Sequence, residues 1–129
     1  MKISTVLKTL ASHLSGGTQR VIPQTWREGC AAVFIAGKEK VIRKYVSGGA
    51  LCSLPIEVRM RCDVLGEGDR IRVMRDLDLI AEYARKNPIP IDGVELAVCG
   101  VPICTQISGG GTEEYALPCA LTYCKDGEE

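Results

Sequence analysis

The clearest chemical spacing in this chain belongs to four thiols. Cys99, Cys104, Cys119 and Cys124 read C-x4-C, an interval of fourteen residues, and C-x4-C again. Four thiolates can hold zinc tetrahedrally, and the two arms of a hairpin bring such pairs side by side. However, residues five apart on a strand point to opposite faces. A flat hairpin cannot gather all four unless Gly100 and Pro102 kink one pair into range. Tight zinc knuckles also separate their thiols by two residues rather than four. The competing reading is that these cysteines are small apolar fillers, since free cysteine is often buried. The four remain weak metal candidates, and no cofactor is expected.

Other catalytic constellations are incomplete. A cysteine nucleophile wants a histidine base and an orienting group. His13 is the single histidine, and nothing local ties it to a thiol; a surface position near a helix end is its simplest reading. Asp76 with Asp78, and Glu113 with Glu114, are paired in sequence only, and Asp76 and Asp78 fall well apart around a helix. The run Ser108-Gly109-Gly110-Gly111-Thr112 has the look of a phosphate loop. A Walker-type loop needs a following Lys-Ser/Thr and a helix N-terminus, whereas Glu113, Glu114 and a strand follow here. It reads as a hairpin tip. Arg43-Lys44 and Arg59 with Arg61 are small basic patches, read as solvated sheet faces. Nothing points to an enzyme.

The elements around these residues follow from periodicity. Leu54, Ile56, Val58, Met60 and Cys62 alternate with Ser53, Glu57, Arg59 and Arg61, which predicts a half-buried antiparallel strand. Ser47-Gly48-Gly49 supplies the turn before it, so residues 40–63 read as a β-hairpin. Asp69 is the expected N-cap of a helix over 69–86. Val73, Met74, Leu77, Ile80, Ala81 and Ala84 lie on one side of it, and Asn87-Pro88 stops it. A first helix over 3–15 carries Val6, Leu7, Leu10, Ala11 and Leu14 on one stripe, with Ser4 as cap and Gly16-Gly17 as stop. Val21-Ile22-Pro23 is a short edge strand or an extended link. Cys30 to Ala36 is apolar on both faces and reads as a buried strand. Val94 to Ile107 reads as one strand broken by Gly100 and Pro102, at an edge or bulge. Tyr115, Leu117, Cys119, Leu121 and Tyr123 share a face of the last strand, making a second hairpin over 94–124. The sum is α+β: a mainly antiparallel sheet of about four to five strands, with both helices packed on one face.

Bulk properties set the class. A chain of 129 residues predicts one domain spanning 1–129. With 46% hydrophobic and 5% aromatic residues, its core must be mainly aliphatic. Sixteen basic and sixteen acidic residues cancel, which argues against a dedicated nucleic-acid binder and against a membrane-surface protein. Neutrality favours association over mutual repulsion. No run approaches a membrane span, and the N-terminus lacks the apolar segment of a signal peptide. The seven cysteines therefore read as reduced cytosolic thiols. Trp26 and Phe34 occur once each; both suit core packing, and Trp26 also suits an interface anchor.

Order and spacing also carry a resemblance. Arg43-Lys44-Tyr45-Val46-Ser47-Gly48-Gly49, followed by Leu54-Pro55-Ile56-Glu57, resembles the turn and strand of minor capsid, or tail terminator, proteins of long-tailed bacteriophages. Asp69-Arg70-Ile71 through Leu77-Asp78 is similar to that family's helix. Gly111-Thr112-Glu113-Glu114-Tyr115 to Leu121-Thr122-Tyr123 is similar to its closing strand. The resemblance covers roughly residues 40–125. The cysteine count and the stretch Cys99 to Cys104 depart from the family's pattern.

The resemblance implies a small mixed sheet with two helices on one side. It further implies a ring, usually a hexamer, that ends tail-tube polymerisation and joins the head connector. The partners so implied are further copies of this chain, the tail tube protein and neck or head connector proteins. DNA would pass passively through the ring, and no membrane is involved. The location implied is the virion's tail–head junction, after synthesis in the host bacterial cytoplasm. Assembly-interface candidates are Trp26, Arg43, Lys44, Tyr45, Gly48, Gly49, Gly109, Gly110 and Gly111. Two alternatives stand beside this reading: another neck or tail tube component of a phage or phage-like particle, and a cysteine-rich metal-binding or thiol-dependent cytosolic protein.

Overall fold

Two long strands carry the architecture. The computed structural model describes residues 2–16, 21–23, 31–63, 66–107 and 111–125. In it β4 (Ala50–Asp63) and β7 (Thr112–Lys125) run antiparallel along their whole length, from Ala50 opposite Lys125 to Asp63 opposite Thr112. Strict alternation explains the pairing. Leu54, Ile56, Val58 and Met60 are buried and face, in register, Leu121, Cys119, Leu117 and Tyr115. A slip of one residue would turn every one of these side chains to the wet face.

The remaining strands flank this ribbon on both sides. β2 (Ala31–Ile35) pairs with the middle of β4, and β1 (Val21–Pro23) pairs parallel with β2. β3 (Lys40–Lys44) pairs with the first residues of β4. Along β7, β5 (Val94–Val98) pairs with the second half and β6 (Ile103–Ile107) with the first half.

The α+β class is therefore as expected, but the sheet differs in detail. Among the described residues it has seven strands rather than four to five, and it is mixed, because the β1–β2 pair is parallel. Two causes account for the difference. Val21-Ile22-Pro23, open in the sequence between an edge strand and an extended link, is an edge strand of three residues. The expected single strand over 94–107 is two strands, broken at Cys99–Pro102, where the Cys99 N–H donates to the Pro118 carbonyl at 2.8 Å. The hairpin over 40–63 closes only at its tip. β3 reaches no further than Ser53, and β2 takes over as partner of β4 from Ile56.

Two helices complete the described elements: α1 (Ile3–Leu14) and α2 (Glu67–Lys86). Val6, Leu7, Leu10, Ala11 and Leu14 of α1 are buried, as are Val73, Leu77, Ile80 and Ala81 of α2. Both sets join the inner faces of β4 and β7 in one hydrophobic cluster. Met74 stays 38% exposed, outside the stripe expected for it.

The caps also differ from expectation. Lys2, not Ser4, precedes the first helical residue of α1, and its side chain makes no capping bond. In α2 the cap is Gly66, and Asp69 sits three residues in, its carboxylate accepting from the Gly66 N–H at 3.2 Å. That is the reach-back half of a capping box. The helix ends as predicted, with the Asn87 N–H on the Tyr83 carbonyl at 2.9 Å just before Pro88. No described helix is long and apolar enough to cross a membrane.

Candidate assembly surface

The β3 arm, like β6, is nowhere buried. Lys40, Val41, Ile42, Arg43 and Lys44 are all exposed, with Val41 at 52% and Ile42 at 57%. The turn that follows is closed by the Tyr45 N–H on the Gly49 carbonyl at 2.8 Å and the Gly48 N–H on the Tyr45 carbonyl at 3.0 Å. Gly48 has φ +97°, which side-chain-bearing residues rarely adopt. A Cβ on Gly49 would lie 3.1 Å from the Lys125 carbonyl oxygen. Of the sequence candidates, Arg43, Lys44, Tyr45, Gly48 and Gly49 thus share this one projecting arm. Gly111, with φ +84°, lies at the entry to β7, the opposite end of the ribbon. Trp26, Gly109 and Gly110 lie outside the described residues, as does Cys30.

A polar latch ties the root of the arm to β7. Tyr123 is buried at 2% exposure, and its hydroxyl donates to the Glu39 carboxylate. The Lys125 ammonium lies 3.1 Å from the other Glu39 oxygen. The Tyr123 hydrogen bond, and then the one from Lys125, hold the Glu39 carboxyl below its usual range. Burial, and then the bond to Glu39, push the Tyr123 phenol upward.

A second latch sits at the far end of the ribbon. Glu113 is 3% exposed. Arg70 of α2 donates through Nε to both of its oxygens, at 3.1 and 2.9 Å, and the Tyr115 hydroxyl donates at 2.7 Å. Hydrogen bonding from Arg70 and then from Tyr115 lowers the Glu113 carboxyl. Burial, followed by the bond to Glu113, pushes Tyr115 up to about 12. Sequence reasoning passed over both latches. Alternation does put Glu113 and Tyr115 on one strand face, two residues apart, and that signal was readable. Glu39 comes from a connector, and its partner is 84 positions away, so no local pattern announces it.

The thiols do not converge. Cys119 points into the core while Cys99, Cys104 and Cys124 are exposed. Cys104 pairs in register with Tyr115, and Cys119 with Val98. Cys124 lies five residues beyond Cys119, on the other face of β7. Among the described residues no group of three or more His, Cys, Asp or Glu is placed to hold a metal ion. Burial pushes the Cys52 and Cys62 thiols up, and pushes Cys119 up to about 12, which keeps all three protonated and unreactive.

His13 is likewise occupied. Its Nε2 is 2.7 Å from the Asn87 carbonyl, and its ring lies 5.5 Å from that of Tyr83, so it ties the end of α1 to the end of α2. Behind it, a hollow of about 410 Å³ lies between the helix ends and β5, walled by Leu14, Arg85, Ile89, Leu96 and Val98. Glu95 also lines the hollow, and no described thiol does.

The outer face of the ribbon is a packed polar surface. The Arg59 guanidinium lies 4.9 Å from the centroid of the Phe34 ring and 2.6 Å from Glu57. Phe34 is therefore half-buried under a cation.

No protein-family model matches the sequence, and no curated protein matches it significantly. The arrangement is a two-stranded ribbon with an unburied arm at one corner and a polar latch at each end.

Proposed function

We propose that this chain is a structural virion protein, the subunit of a tail terminator ring that caps the tail tube and joins it to the head connector. The observation that carries the reading is where the resembling stretches fall. They map onto β4, α2 and β7, which are separated in sequence and packed as one unit of central strand pair and covering helix. The Tyr45 to Gly49 part of the resemblance is the turn of the projecting arm. On this reading the protein acts by assembly, without catalytic turnover or cofactor. Copies close into a ring, a hexamer as in the resembling family, through which DNA passes. The ring meets the tube protein on one side and neck proteins on the other. The chain is made in the host bacterial cytoplasm and ends at the tail–head junction.

The test is tube length. A tail tube subunit from the same source is polymerised with and without this chain, and the tubes are measured by electron microscopy. Tubes that stop growing and carry a terminal ring are expected. Tubes that grow equally long with the chain present overturn the reading. Polymerisation of this chain alone into long tubes favours the alternative of a tube subunit.

A further inference from the structure

Large apolar side chains are exposed mainly on two edges of the sheet. Val41, Ile42, Tyr45 and Val46 belong to the β3 arm and its turn. Val101, Ile103 and Ile107, at 67%, 49% and 70% exposure, belong to β6 and the break before it. β3 pairs only with β4, and β6 only with β7, so no described strand covers the other edge of either. Exposed edges are ordinarily guarded by charge, proline or a covering element.

The two edges differ in charge. The arm bears Lys38, Lys40, Arg43 and Lys44, while its one acid, Glu39, is held by Tyr123 and Lys125. From Leu96 to Thr112 there is not one charged residue. Just past β6, a notch of about 250 Å³ is lined by Arg61, Gln106, Thr112, Glu113 and Glu114. The Glu114 carboxylate is ion-paired with Arg59 and Arg61, at 3.7 and 3.9 Å.

We infer that copies of this chain join head-to-tail by continuing the sheet, the free edge of β3 in one copy pairing with the free edge of β6 in the next. This names the contact that would build the ring, and so rests on the reading above. Strand direction favours it. β3 runs against β4, β4 against β7, and β7 against β6, so β3 and β6 are themselves opposed. Two copies in one orientation, offset along the ribbon so that the β3 end of one lies beside the β6 end of the next, therefore meet antiparallel, the better-paired arrangement. Charge favours it too. β3 against β3 would set Lys40, Arg43 and Lys44 against their own copies, and like charges opposed across strands destabilise a pair. β6 itself, Ile103 to Ile107, carries no charge to oppose them. The contact is heterologous, the kind that generates rings when the rotation closes.

The experiment uses the full chain with Cys30, Cys99 and Cys124 changed to Ser, leaving Cys104 as the exposed thiol on β6. Ile42→Cys adds one on β3, and a short bismaleimide links thiols across any interface. A covalent ladder extending past the dimer is expected when Cys104 and the new thiol are both present, and no ladder when either is missing. A dimer formed through Cys104 alone would mean that β6 pairs with itself, and would overturn the inference. So would the absence of any link at high micromolar concentration.

A second variant guards the result. Ile103→Lys with Ile107→Lys should reduce the native mass to that of a monomer, with a melting temperature within about 2 °C of the parent, since both side chains are exposed. An oligomer that survives this double change also overturns the pairing. Capped tubes without cross-links would remove the edge pairing alone. Cross-linked oligomers beside uncapped tubes would remove the terminator reading alone.

Discussion

Leu117→Ala tests whether the paired strands and helices share one core. Leu117 is 1% exposed, lies mid-strand in β7 opposite Val58, and belongs to the cluster that both helices enter. Truncation removes its contacts and leaves a cavity that a central strand cannot close by moving, since β4 holds it on one side and β5 with β6 on the other. Such changes cost roughly 2–5 kcal/mol, and a site this constrained belongs near the middle, about 3 kcal/mol. Unfolding entropy near the melting point is about 2.1 cal/mol/K per residue, or roughly 0.27 kcal/mol/K for this chain, so the melting temperature should fall by about 11 °C. Scanning calorimetry reads this directly. Ile107→Ala on the exposed β6 edge serves as control, with an expected change within about 2 °C. A fall of less than about 3 °C for Leu117→Ala would refute the packing argument, because a loosely packed interior loses little when a side chain is shortened.

Three further outcomes follow from the latches and thiols. Glu113 has a lowered carboxyl pKa in the fold, so its contribution is present above the unfolded value near 4.5 and is lost as pH falls through the folded one. Arg70→Ala removes the largest cause, so the variant should be less stable than the parent near neutral pH and lose less stability below about pH 4.5, the two urea-midpoint curves converging in acid; parallel acid limbs would contradict the latch. Tyr115 works in the opposite sense. Its phenol is raised from 10.0 to about 12, so stability is full below pH 10 and drains away between there and about 12. Tyr115→Phe should flatten that alkaline limb, as read by tyrosinate absorbance alongside circular dichroism. In a thiol-reagent assay, Cys99, Cys104 and Cys124 should react in the folded protein, and Cys52, Cys62 and Cys119 only after unfolding. Fast reaction of Cys119 would show that the β5–β7 region opens readily.

Much of this could be read from alternation and helical spacing. Leu54 to Cys62 and Tyr115 to Tyr123 declared their buried faces, and the stripes of α1 and α2 were legible except at Met74. The reason is physical: a strand or helix with one wet face writes its orientation into its own sequence. What escaped was whatever depended on a distant neighbour. β1 is a strand only because β2 lies beside it. The break at Cys99–Pro102 was visible as Gly and Pro, but its splitting of one strand into two is set by how β7 is shared. The cap of α2 shifted because Asp69 serves the backbone by reaching backward, which its identity alone does not reveal. For the surface, the arm at Arg43 to Gly49 was legible as a basic turn. The uncharged β6 edge was visible as seventeen residues without charge, yet it acquires meaning only once its edge is known to be open.

The place of β7 in the sheet bears on how the subunit is made. β4 is finished by residue 63, but its partner along the whole ribbon begins at residue 112. Until that strand has been synthesised, Leu54, Ile56, Val58 and Met60 have no β7 side chains against which to close. The nascent chain therefore carries an unsatisfied apolar strand through the making of α2, β5 and β6. Contacts so distant in sequence close slowly, and an incomplete sheet invites pairing with other chains. Ribosomal pausing between residues 63 and 112 should accordingly favour misassembly, while slowing before residue 50 should be harmless to the fold.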